Sequence, residues 1–121
     1  MVFEVCKKNL EIVQGDTVAF GLEFEEINDT GDFIDLTSAY FTVRDDFDES
    51  IKCQSSLGNG IAKEEVGLYS VSLSHEQTAE LEPGTYYYDM QVGIGTEIYT
   101  IFVGVMTVLP SVTGGEPDVQ D

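Results

Sequence analysis

The stretch Leu81-Glu82-Pro83-Gly84-Thr85-Tyr86-Tyr87-Tyr88-Asp89-Met90-Gln91-Val92 constrains the fold of this chain more than any other. A Pro-Gly pair breaks whatever precedes it. From Tyr86 the residues alternate, with Tyr86, Tyr88, Met90 and Val92 to one side and Tyr87, Asp89 and Gln91 to the other. A period of two is the mark of a strand with one buried face, because successive side chains leave opposite faces of the pleat. The Leu-x-Pro-Gly-x-Tyr lead-in also suits a tyrosine corner, where the phenol hydroxyl donates to backbone a few residues upstream at the edge of a β-sandwich. The stretch therefore predicts a central strand of an immunoglobulin-like sandwich.

The same alternation recurs along the chain. After the turn signal Gln14-Gly15-Asp16, Val18, Phe20, Leu22 and Phe24 alternate with small or acidic residues. Asn28-Asp29-Thr30-Gly31-Asp32 is a second turn, built of residues that tolerate left-handed backbone or bond to it. Ile34 and Leu36 then point inward around Asp35, and Ala39, Phe41 and Val43 alternate with Tyr40, Thr42 and Arg44. Residues 45–50 form an acidic loop, residues 51–55 a weak strand, and residues 57–61 a glycine-rich turn. Tyr69, Val71 and Leu73 define a further strand. Ser74-His75-Glu76-Gln77 matches a capping box, Ser at the cap and Gln three residues on, and predicts a single helical turn. Gly93 to Thr96 closes a hairpin with a last strand over 97–109, which Pro110 ends.

These signals predict an all-β fold, an immunoglobulin-like antiparallel β-sandwich of seven to eight strands with one short helical turn near residues 75–81. Turns spaced about 8–12 residues apart are what such a sandwich needs. Missing helices exclude a βαβ architecture. The core is expected to include Phe20, Leu22, Phe24, Phe41, Tyr86, Tyr88 and Phe102. Residues 1–110 read as one domain, opened by an apolar arm (Phe3, Val5), and residues 111–121 as a flexible acidic tail.

Charge narrows the partners. The chain holds 23 acidic residues against five basic ones, a formal net charge of −18. Nucleic acid is excluded as a natural partner, because a phosphate backbone needs Lys and Arg to replace its counterions. An anionic membrane surface is disfavoured for the same reason. No basic segment followed by an apolar run opens the chain, and no apolar stretch is long enough to span a bilayer. Two cysteines, Cys6 and Cys53, are too few for a disulfide framework and read as free thiols.

Candidate chemistry is sparse. His75 is the lone histidine, and its neighbouring serines share its cap turn, so no Ser/His/Asp arrangement converges there. A Cys6–His75 pair has no supporting local signature. Asp29, Asp32 and Asp35 cluster at one turn, and Asp45, Asp46, Asp48 and Glu49 at another, yet neither run has the EF-hand spacing. Solvated turn carboxylates are the expectation, with no metal and no cofactor. Acid pairs for glycoside hydrolysis abound by count, but the chain has no Trp to line a sugar groove. Tyr40 and Tyr87 are the weaker substitutes for such a platform.

The last strand departs from the pattern. Ile98, Phe102, Met106 and Val108 read as one face, with Gly104 as a spacer, and Tyr99, Ile101, Val103 and Val105 as the other. Both are apolar, whereas other strands keep one polar face. Either a partner covers Tyr99, Ile101, Val103 and Val105, or the chain's own arm and loops do.

In order along the chain stand Gly15-Asp16-Thr17, Phe20, Phe24, Gly31, Ile34-Asp35-Leu36-Thr37, Thr42-Val43-Arg44-Asp45, Gly67, Val71-Ser72-Leu73, Gln77-Thr78, Pro83-Gly84-Thr85-Tyr86-Tyr87-Tyr88-Asp89 and Val108-Leu109-Pro110. Over roughly residues 9–113 this set resembles small immunoglobulin-like sandwich proteins of tailed bacteriophages and prophages, akin to the N-terminal domain of upper baseplate proteins. The resemblance implies a non-enzymatic virion component, made in the host cytoplasm and joined to other virion proteins, as a homo-oligomer. It implies no catalytic residue. The competing expectation is an extracellular ligand-binding module of sandwich type, for carbohydrate or calcium.

Overall fold

The computed structural model describes residues 6–24, 27, 29–45 and 51–112. The N-terminal arm (Phe3, Val5), the side chain of Cys6, Asp46, Asp48 and Glu49 of the acidic loop, and tail residues 113–121 lie outside the described residues. The described residues form nine strands, β1 (Cys6–Lys7), β2 (Leu10–Val13), β3 (Val18–Glu23), β4 (Ser38–Arg44), β5 (Ile51–Leu57), β6 (Gly60–Glu65), β7 (Leu68–Leu73), β8 (Gly84–Ile94) and β9 (Glu97–Leu109), with one helical turn, α1 (His75–Ala79), between β7 and β8.

Hydrogen bonding is continuous through all nine. The order is β1-β9-β8-β4-β5-β6-β7-β3, with β2 following β1 along β9. The sheet rolls over where β5 hands on to β6, so that β3, β6 and β7 form one layer and the remaining strands the other, nearly closing into a barrel. The rings of Phe20 on β3 and Phe41 on β4 meet edge-to-face at 5.5 Å between centroids, and this contact joins the layers. Alternating side chains fill the space between: Phe41, Val43, Tyr88, Met90, Val92, Met106 and Val108 from one layer, and Leu22, Ile61, Tyr69, Val71 and Leu73 from the other. Of the expected core, Leu22, Phe24, Phe41, Tyr86 and Tyr88 are buried, and Phe20 and Phe102 are half-buried and packed against it.

The local devices form as their residues dictate. Tyr86 Oη donates to the Glu82 carbonyl at 2.7 Å, the tyrosine corner. Ser74 accepts from the Gln77 N–H and Gln77 Oε1 accepts from the Ser74 N–H, which closes the capping box at α1. Tyr69 reaches across the layers, its hydroxyl accepting from the Leu36 N–H at 3.0 Å.

The described residues form nine strands rather than seven or eight, and not every pair is antiparallel: β5 and β6 pair parallel at Ser56↔Gly60 and Leu57↔Ile61. β1 and β2 run parallel to β9, which is possible because nearly the whole chain separates them. They are two strands rather than one because Lys8 and Asn9 break the ladder along β9. There the Lys8 N–H donates to the Val103 carbonyl, the Val105 N–H turns to Asn9 Oδ1 at 3.2 Å, and Tyr88 Oη donates to the Lys8 carbonyl. Gly104 is required at this spot, since a Cβ would overlap the Lys8 carbonyl.

Candidate functional site

β9 carries the second surprise, and it reorganises the expected docking face. Met90 pairs with Phe102 but Gln91 pairs with Thr100, so Ile101 is an extra, unpaired residue. Such a bulge reverses which face each residue takes. Before it, Tyr99 lies opposite Val92 and packs against the core, while Ile98 turns outward and is 57% exposed. After it, Phe102 and Met106 point inward and Val103 and Val105 outward. Ile101 itself is buried in the core. Tyr99, Ile101, Val103 and Val105 therefore do not share one face. The strict alternation read from the sequence fails at the bulge, and Val103 and Val105 alone keep the outward position expected of all four.

What surrounds those two valines is set by register. Asp89 lies opposite Val103 on one side and Thr42 on the other, while Tyr87 lies between Val105 and Arg44. Since paired residues share a face, Thr42, Arg44, Tyr87, Asp89, Val103 and Val105 line one groove of about 450 Å³ on the outside of the larger layer. A second depression of about 270 Å³ continues it across β4, adding Tyr40, Gln54 and Gln91 and sharing Thr42, Arg44 and Asp89. Gln54 Nε2 donates to Thr42 Oγ1 at 2.9 Å and fixes that part of the wall. The composite groove is apolar at the β9 end and polar at the β5 end.

Asp89 is its central charged group. It is half-buried and lies within electrostatic reach of Arg44. Burial raises its carboxyl above the ordinary value, because the ionised form loses hydration, and the Arg44 charge partly offsets this. A carboxylate beside a guanidinium with hydroxyl, amide and phenol groups around it can recognise a ligand. Among the described residues that line it, Asp89 is the one carboxylate and there is no imidazole.

The other candidate residues are dispersed. His75 is exposed on α1, its Nε2 lying 3.5 Å from Glu76 Oε2. Cys53 is a buried free thiol whose pKa desolvation pushes up to about 11, so it holds its proton at neutral pH. Asp32 accepts from Thr30 Oγ1 and Asp35 pairs with Lys63 Nζ at 2.7 Å. Among the described residues no three of His, Cys, Asp and Glu gather where they could hold a metal.

No family model matches the chain, and no curated protein matches it. Solved structures do. An endo-β-1,4-mannanase from Thermotoga petrophila superposes with a TM-score of 0.55 at 12% identity, over 86% of this chain and 18% of that one. A pullulanase from Bacillus acidopullulyticus gives 0.43 at 15% identity, over 71% and 8%. A family 123 glycoside hydrolase from Clostridium perfringens gives 0.38 at 17% identity, over 89% and 24%. This chain thus spans less than a quarter of each of these proteins. At such identities the mannanase likeness concerns the all-β fold and no residue of a site.

Proposed function

We propose that this protein is a non-enzymatic structural component of a tailed phage or prophage particle, acting by docking to other virion proteins and to copies of itself. The observation that carries this reading is the outward pair Val103 and Val105, half-exposed at the apolar end of the groove on a strand whose other face is core. Fully burying a valine is worth about 1.5–3 kcal/mol. The pair and Tyr87 therefore supply a few kcal/mol towards association before its entropic cost. Arg44 and Asp89 beside them give a docking partner a direction. The strongly acidic remainder opposes contact elsewhere. The resemblance of the ordered motifs to baseplate-type sandwiches supports this choice of assembly. Proteomics of gradient-purified particles from the host tests it: the reading expects the protein to band with tail or head proteins, and its absence from intact particles refutes it.

A second reading uses the same groove for carbohydrate. It is favoured by Tyr40 and Tyr87 standing on one sheet face with Arg44, Gln54, Asp89 and Gln91, a mix of ring faces and planar hydrogen-bonding groups. Tyr40→Ala separates the two, since it removes a sugar platform at the polar end and leaves the valine pair intact.

A further inference from the structure

The two ends of the rolled sheet face each other across a groove, β1 and β2 beside β9 at one end and β3 beside β7 at the other. In the immunoglobulin constant arrangement the first strand lies beside the second. Here β1 and β2 run along β9 instead, so β3 ends the sheet with β7 on one side. Among the described residues nothing pairs with its other edge. The Phe24 N–H donates to the Gly67 carbonyl at 2.8 Å, towards the β7 side. Donors alternate sides along an antiparallel strand, so the N–H groups of Ala19, Gly21 and Glu23 point to the open edge, where all three residues are exposed.

Open edges are normally blunted by Pro, Lys, a bulge or a covering loop. β3 reads Val-Ala-Phe-Gly-Leu-Glu in unbroken register with β7, with no Pro or bulge and a single charge, Glu23, at its end. Beside it runs a groove of about 320 Å³, walled by Leu10 and Ile12 of β2 and Val18 and Phe20 of β3, with Phe41 and Phe102 beneath. Unpaired donors at a lip and apolar side chains in the slot below are the two requirements of strand addition: backbone bonds hold the guest, and alternate side chains fill the groove.

We infer that this edge receives an extended segment of a partner protein, with apolar residues at alternate positions and Lys or Arg between them. Charge selects that chemistry. Glu11 and Lys8 both line the slot, Glu23 ends the open strand, and the chain carries −18 overall. A second copy would set one acidic edge against another, whereas a basic strand is attracted. The inference rests on the backbone edge and stands apart from the virion reading.

The experiment titrates the whole protein with an eight-residue peptide alternating Val and Lys, against a Val/Asp control, by calorimetry and amide hydrogen exchange. The expected result is binding of the Val/Lys peptide at least about tenfold tighter than the control, with exchange at Ala19, Gly21 and Glu23 slowed about tenfold or more. Ala19→Pro removes one edge donor without touching the β7 ladder. It should abolish binding while Val103→Glu leaves it unchanged. If Ala19→Pro does not fold, exchange in the wild type decides. No binding, or equal binding of both peptides, overturns the inference. So do edge amides already protected in the free protein, which would mean the chain's own occupancy, and protection that follows a concentration-dependent dimer.

Discussion

Tyr88 Oη donates to the Lys8 carbonyl at 2.5 Å, across 80 residues of sequence, and ties the opening strands to the central hairpin. The bond sits where the N-terminal ladder is broken, and Gly104 makes room for it. Removing the donor leaves a part-buried carbonyl unsatisfied. Tyr88→Phe should cost about 1–3 kcal/mol. Gly104→Ala should cost more, because backbone must move to admit the methyl. Thermal unfolding followed by circular dichroism checks both, and equal melting temperatures for all three proteins would refute the linkage.

The bulge in β9 predicts opposite behaviour for near neighbours. Ile101→Ala empties core space and should destabilise by about 2–5 kcal/mol. Val103→Ala, on the outer face, should stay within about 1 kcal/mol. Urea unfolding of the two variants measures the difference. A costly Val103→Ala beside a harmless Ile101→Ala would mean that the register is wrong.

The alternation of Tyr86 to Val92, the tyrosine corner and the capping box were legible because each is encoded within a few residues. Most of the core followed, since a period of two assigns faces without knowledge of pairing. The bulge at Ile101 was not legible. An inserted residue has no local signature in an apolar run, and it moved Tyr99 and Ile101 off the expected docking face. The groove was half legible: alternation put Tyr40, Thr42 and Arg44 on one outer face and Tyr87, Asp89 and Gln91 on another. Which of them sit side by side depends on β4–β8 register, a long-range pairing that no local pattern encodes. The parallel course of β1 and β2 along β9 is likewise a long-range choice.

Asp89 predicts a pH effect. Its folded pKa is raised above the ordinary 3.8, so the folded state holds this proton more firmly than the unfolded chain does. Its favourable share is present below about pH 3.8 and is lost as pH rises through the folded value. Asp89→Asn should therefore raise the melting temperature at pH 7 and lose that advantage near pH 3. A variant less stable than wild type at neutral pH would show that the carboxylate is satisfied.

Cys53 predicts silence towards thiol reagents. With its pKa near 11, it exposes almost no thiolate to Ellman's reagent at pH 8 until the fold opens. Between the ordinary 9.0 and about 11 the unfolded chain loses this proton first, so the thiol's contribution to stability falls as pH rises. Labelling time courses in native and denaturing buffer check the first point. Rapid native labelling of Cys53, located by peptide mass, would contradict its burial.

The central claim, docking through the outer face of β9, is tested most directly by particle incorporation. Wild type and Val103→Glu/Val105→Glu protein, matched in melting temperature, are supplied in trans to a host lacking the native copy, and purified particles are quantified by mass spectrometry. The account predicts that wild type is incorporated and that the double variant is depleted by about tenfold or more, as a loss of at least 1.4 kcal/mol requires. Equal incorporation of the two, or incorporation of neither, would contradict it.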